Sequence, residues 1–366
     1  MNSWSRREFL VKSGVASAGL GVLGSKCVAG DSKPADQEID FQRLLQPVPT
    51  HARFILKDWY VWGGSMTRTS DGVCHLLYAR WPRAKRHWGW LTHSEIGYAT
   101  AKHPTGPYTH KAVALPGKHT DKWVTDMTHN PTILRAHGKY YLYFTGARIV
   151  GQLPDGPVKT NSSYWQPTRM TQRIGVAVAD HPAGPWRRID KPLIDVTPGM
   201  HDHYFTTNPT VTQCPDGSFL MVYKCMGTDR KVFHGVAVAK HPLGPFKKDP
   251  KPIFTHAQSD FPAEDPFIWY QDDRFYGILK DLKGSYAGVK RSLALFHSLD
   301  GHRWELAKHP LVATRQVCWA DKSIQEFMHL ERPQLWLENG KPAVLFCAAD
   351  LTREHSFNIH IPLKRM

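Results

Sequence analysis

Five times along the chain, polar residues introduce an apolar, β-prone run, a turn follows, and a second apolar run returns. Glu264-Asp265-Pro266-Phe267-Ile268-Trp269 leads through Gln271-Asp272-Asp273-Arg274 to Phe275-Tyr276-Gly277-Ile278-Leu279. Asn130-Pro131 leads through His137-Gly138-Lys139 to Tyr140-Tyr141-Leu142-Tyr143-Phe144, and Asn208-Pro209 through Asp216-Gly217 to Phe219-Leu220-Met221-Val222-Tyr223. Glu331-Arg332-Pro333 leads through Asn339-Gly340 to Val344-Leu345-Phe346. A degenerate copy, Asp58-Trp59-Tyr60-Val61-Trp62, turns at Asp71-Gly72 and returns at His75-Leu76-Leu77-Tyr78.

A second repeat follows the first in phase. Ile96–Tyr108, Ile174–Trp186 and Gly235–Phe246 each read as a third strand, a His-Pro-x-Gly-Pro turn and a short outer strand opened by an aromatic. Leu293–Trp304 is a divergent fourth copy, and Phe357–Ile361 supplies the third strand of the fifth unit. The histidine of each Pro/Gly turn repeats with the turn and is read as structural. The prolines at 131, 209, 266 and 333 are 78, 57 and 67 residues apart, which suits four strands plus loops. The expectation is an all-β, five-bladed β-propeller, with blades near 52–110, 125–190, 203–250, 260–307 and 328–364. Residues 51–366 then form one domain, because a single blade cannot bury both of its faces and the ring must close.

Composition changes the picture mainly at the N-terminus. Arg6-Arg7 followed by a small, apolar run from Val15 to Leu23 reads as a twin-arginine export signal over residues 1–30, cleaved near Ala29. The apolar run is too short to span a bilayer well. Lys26 directly before Cys27 suits a lipid-attachment signal poorly. Residues 31–50 read as a polar, loose lead-in. The expected location is periplasmic or secreted.

The net charge is +15, of which residues 1–30 carry +3, leaving +12 for the remainder. Such a surplus points to an anionic partner, and export favours an acidic or sulfated saccharide over nucleic acid. Without Cys27 five cysteines remain, an odd number that argues against a full disulfide framework. Cys214 and Cys225 flank one hairpin and are the candidate pair. No Cys-x-x-Cys spacing suggests zinc. No cofactor is expected, with room for a structural divalent cation in the channel.

In a propeller the innermost strands line a central channel. If the proline runs are those strands, Asp58, Asn130, Asn208, Glu264, Asp265 and Glu331 ring one mouth, with His129 and His329 beside them. Converging carboxylates are costly unless paired, solvated or used. Two long connections, Ala79–His93 and Arg148–Gln172, both follow a second strand and emerge on one face. They carry Trp81, Trp88, Trp90 and Trp165 among Arg and Lys, a mixture suited to stacking on sugar rings with negative substituents. Glu331-Arg332 reads either as part of this site or as an ion pair holding the last blade shut. His201-Asp202-His203 reads as a surface loop, with metal binding as the alternative.

From about residue 50 to 364 the blade pattern resembles the five-bladed propeller glycoside hydrolases of families 43 and 117. Likeness to family 43 implies Asp58 as general base and Glu264, before Asp265-Pro266, as general acid; Asn208 stands where that family has an aspartate. Likeness to family 117 implies a histidine acid, His329, with Asp58 as base and Asp265 as helper. His201, His203 and His302 are rivals for the histidine. Asn130, Asn208, Glu331, Arg332, Trp81, Trp88 and His129 would then bind substrate. The resemblance implies an exported, inverting hydrolase of plant or algal polysaccharide or oligosaccharide. A carbohydrate-binding propeller without turnover is the alternative, and a lyase or phosphorylase on the same scaffold is a third reading.

Overall fold

The computed structural model describes residues 38–366 apart from 119–122, 124 and 154. The export signal and Cys27 therefore lie outside the described residues. Five four-stranded antiparallel sheets follow one another along the chain. The first strands are Trp59–Arg68, Met127–Ala136, Phe205–Gln213, Ala263–Gln271 and His329–Glu338, and these pack against one another around the centre. The second strands, Cys74–Pro82, Lys139–Ala147, Phe219–Met226, Arg274–Asp281 and Lys341–Thr352, pair outside them.

The apolar runs are continuous rather than alternating because both faces of each sheet are covered by neighbouring blades. Trp59–Arg68 and Cys74–Pro82 are buried almost throughout, whereas the outer strand Thr109–Leu115 is mostly exposed. Five apolar clusters fill the five interfaces. Val61 and Leu76 meet Phe346 between blades five and one, and Tyr143 meets Val211 and Phe219 between blades two and three.

Ring closure comes from a strand the periodicity does not reveal. Arg53–Phe54 pairs with Asn358 and Ile359 as the outer strand of the fifth sheet. Phe54 then stands edge-on to Tyr78 of blade one, 4.8 Å between centroids. First and last segments of the chain thus share one sheet. The expectation of a loose lead-in is corrected from Ile39 onward. Phe41 is fully buried edge-on to Trp269 (6.3 Å), and the Val48 amide donates to the Cys318 carbonyl at 2.8 Å. Two aromatic-lined contacts outweigh the polar composition of this segment.

Three other expectations meet the structure here. The turn histidines are structural: Nδ1 of His103, His181 and His241 accepts the amide two residues on, at 3.3, 3.2 and 3.1 Å. The Cys214–Cys225 pair does not form. Cys225 is free and buried on the second strand opposite Thr206, at the far end of the hairpin from Cys214. Asp202 is buried and bonded to Tyr223, the Thr197 amide and Lys248, and no metal-ligand cluster occurs among the described residues.

Several histidines are buried as neutral rings, His234 and His360 among them. His234 and His360 are 1% and 0% exposed, and burial pushes their pKa down to about 3 and about 4. The unfolded chain takes up protons near 6.5, so below that value it binds more protons than the fold. Stability should fall as pH drops from about 6.5 towards about 4. Urea unfolding midpoints should be lower near pH 5 than near pH 7, and His234→Phe should flatten that dependence.

Candidate active site

The inner strands share one irregularity. Each carries a bulge whose first residue has positive φ: Gly63 (30°), Asn130 (51°), Asn208 (51°), Asp265 (55°) and Arg332 (57°). Gly, Asn and Asp tolerate this conformation, Arg rarely does. A bulge re-aims its residue, and here it turns all five towards the middle of the ring. Asn130 Nδ2 donates to Asn208 Oδ1 at 2.7 Å, and Asn208 Nδ2 to Asp265 Oδ1 at 2.6 Å. Arg332 Nη1 approaches the same oxygen at 3.5 Å. Gly63 completes the circle by having no side chain, since a Cβ there would stand 3.1 Å from Arg332 Nε.

Just before each bulge stand Trp62, His129, Thr207, Glu264 and Glu331. With the residues turned inward they floor a cavity of about 560 Å³, a size suited to a small ligand. Its walls are the two long connections. Trp88 and Trp90 pack against Trp165 with centroids 5.6 and 5.9 Å apart, and the Val158 amide donates to the Lys85 carbonyl at 3.1 Å. Trp88 and Trp90 keep partly exposed faces, whereas Trp81 is 1% exposed, stacked on Tyr60 and bonded through Nε1 to the Arg86 carbonyl. Trp81 braces the wall and offers a sugar almost no surface. His129 is likewise held, between Ser94 Oγ at 2.8 Å and the Trp90 ring.

The carboxylates are matched one by one with cations. Glu264 bonds Lys224 and lies 3.9 Å from Lys280, which also bonds Glu331. Burial alone would raise the pKa of Glu264, yet the two ammoniums outweigh it and hold it at about 2. Asp265 moves the other way: burial and the charge of Glu264 raise it against the pull of Arg332. Of the two readings of Glu331-Arg332, the pairing of the two residues with each other does not occur. Adjacent residues of the strand point apart, so Glu331 finds Lys280 on blade four and Arg332 finds Asp265.

His329 Nδ1 is 2.8 Å from Asp350 Oδ1, across the hairpin that pairs these residues. That contact leaves Nε2 as the ring nitrogen free for the cavity. His87 stacks on His329 at 6.0 Å and is kept neutral, its pKa pushed down to about 3 first by burial.

Of the residues singled out from sequence, Glu264, Asp265, His329, Asn130, Asn208, Glu331, Trp81, Trp88 and His129 line this cavity, and Arg332 stands behind Asp265. Asp58 does not. It lies exposed in the turn before the first inner strand, its carbonyl accepting the Arg83 amide at 2.9 Å. The structural counterpart of the blade-four Glu264-Asp265 is Trp62-Gly63, so the repeat register in blade one is four to five residues later than Asp58 suggested. The rivals His201, His203 and His302 are absent from the cavity lining. Sequence reasoning missed Trp62, Arg169, Lys224, Lys280, Arg291, Arg353 and the partner Asp350. Lys224 and Lys280 carried a signal, since each ends the apolar run of a second strand in successive repeats.

No protein family profile matches the chain, and no curated protein matches it either. Solved structures do. A family 117 glycoside hydrolase of the marine bacterium Zobellia galactanivorans aligns with a TM-score of 0.59 at 17% identity, over 89% of this chain and 92% of the other. A thermostable family-43 glycoside hydrolase gives 0.59 at 12%, over 88% and 96%. An endo-arabinase from Bacteroides thetaiotaomicron gives 0.56 at 11%, over 87% and 98%. At such identities the likeness establishes the five-bladed propeller.

Removing one partner of a buried ion pair strands the other charge. Arg332→Met should therefore destabilise the fold by roughly 3–5 kcal/mol, read as a lowered urea midpoint at unchanged slope. A loss below about 1 kcal/mol would mean that the central ring does not depend on this pair.

Proposed function

We propose that this protein hydrolyses glycosidic bonds, with His329 as the proton donor and Glu264 as the ionised carboxylate that faces the reacting carbon. The observation that carries this reading is the Asp350–His329 pair opening onto a cavity that also holds Glu264 and two partly exposed tryptophans. Hydrolysis needs one group to protonate the leaving oxygen and another to activate water or balance the positive charge of the transition state. Glu264, with its pKa held down by Lys224 and Lys280, stays negative and is poorly suited to donating a proton. The imidazole takes that role, with Asp350 orienting it through Nδ1. Asp265 supports the floor through Asn208 and Arg332. Trp88 and Trp90 supply apolar faces for a sugar ring.

The shared fold with glycoside hydrolases supports this class of reaction, and the saccharide partner follows from it. Inversion is the expected outcome, by likeness to the propeller families. The twin arginine at Arg6-Arg7 supports export. Among the described residues no helix is long and apolar enough to cross a membrane.

Trp62-Gly63 in place of a blade-one carboxylate favours a second reading, a propeller that binds saccharide without turnover. Incubation with oligosaccharides of plant and algal walls separates the two. New reducing ends support hydrolysis; retention without products supports binding alone, and unsaturated products would indicate a lyase. On a cleaved sugar, His329→Ala should lower kcat by about 10²–10⁴-fold. An aryl glycoside with a good leaving group needs less protonation, so the same variant should lose much less on it. Glu264→Gln should lose activity on both. The reverse pattern would exchange the two roles.

A further inference from the structure

We infer that the saccharide bound in this cavity carries anionic substituents, carboxylate or sulfate, held by Arg169, Arg291 and Arg353. The inference rests on the reading of the cavity as a saccharide site and names the class of sugar.

The charges in the cavity do not cancel. Glu264, Glu331 and Asp265 are matched by Lys224, Lys280 and Arg332. Arg169, Arg291 and Arg353 also line the cavity, and none of them has a carboxylate partner among the described residues. Arg169 Nε is buried without a hydrogen-bond acceptor. Its guanidinium lies 5.6 Å from the Phe205 ring, and that of Arg353 lies 5.2 Å from Trp88. A guanidinium laid on a ring keeps its N–H edge free for an in-plane acceptor, the geometry that suits carboxylate and sulfate.

Their origins agree. Arg169 lies in the connection between the second and third strands of blade two, Arg291 in that of blade four, and Arg353 in that of blade five. The corresponding connection of blade one supplies Trp88 and Trp90. One face of the ring thus presents aromatic surface on one side and three unmatched cations around it. Arg169 is partly buried with an orphaned Nε, so a neutral sugar would leave it unmatched, whereas an anionic one would supply its acceptor and meet the exposed Arg291 and Arg353 at the rim.

Binding is measured by calorimetry on the full chain carrying His329→Ala, so that turnover does not intervene. The probes are oligogalacturonate for carboxylate, carrageenan oligosaccharide for sulfate ester, and neutral galactan oligosaccharide of equal length. At least one anionic probe should bind more tightly than the neutral one, with affinity falling as salt rises. The double variant Arg169→Gln/Arg353→Gln should reduce that preference by roughly tenfold. Which anionic probe responds tells carboxylate from sulfate. Equal or tighter binding of the neutral probe, a salt-independent affinity, or no binding of either anionic probe would overturn the inference. Parallel assay of the unsubstituted chain for new reducing ends keeps the two readings apart. Anionic preference without products retains this inference and removes hydrolysis; products from neutral sugar without preference do the opposite.

Discussion

The structure depends on a small knot of polar contacts at its centre. Five sheets can surround an axis only if five backbones approach it, and each does so through a bulge that aims one residue inward. Water has little access there, so the contacts made carry the centre, while Asn130 Oδ1 and Arg332 Nε and Nη2 are left without a protein partner. Asn130, Asn208 and Asp265 form a hydrogen-bonded chain, and Arg332 caps it where Gly63 yields the space. The pair Asp265–Arg332 is nearly excluded from solvent, with side chains 5% and 1% exposed, so neither charge is tolerable without the other. The same bulges that close the ring also turn the preceding residues, Glu264 and Glu331 among them, up into the cavity.

Closure is reinforced at the rim. Arg53–Phe54 adds the last strand to a sheet whose other three strands are the end of the chain. Each blade interface is apolar, so the loss of one would expose two faces at once. That rigidity matters for the site. Lys224 on blade three, Lys280 on blade four and Glu331 on blade five meet around Glu264 only while three blades hold their spacing. Long connections placed on such a scaffold can vary in sequence without disturbing it, which is where the tryptophans and Arg169 are found.

The electrostatics of the floor separate the roles of similar groups. Glu264 and Asp265 are neighbours in sequence, yet one is held ionised by two ammoniums and the other is raised by burial and by its neighbour's charge. Paired titratable groups driven apart by their surroundings are a mark of functional sites, and also of internal ion networks. The Asp350–His329 contact adds a group able to move a proton beside them. Together these account for the chemistry proposed, although the blade-one position offers Trp62-Gly63 rather than an acid.

The chain's own pattern determined the number of blades, their order, and the three inner strands of nearly every sheet. Apolar runs, Pro-led strand starts and Gly turns are local signals, and local signals survive in a linear reading. Asn130, Asn208, Glu264, Asp265 and Glu331 were legible for the same reason, since they occupy two adjacent repeat positions at the strand entries. Asp58 was misplaced because blade one lacks the proline that marks the register, so a turn residue was mistaken for a bulge residue. The partnership of Lys280 with Glu331, of Arg332 with Asp265, and of His329 with Asp350 belonged to the tertiary structure alone. So did the two-residue strand that closes the ring. Contacts between neighbouring blades and across a hairpin are set by strand register and by how a closed ring brings backbones together, and no spacing along the chain encodes that distance.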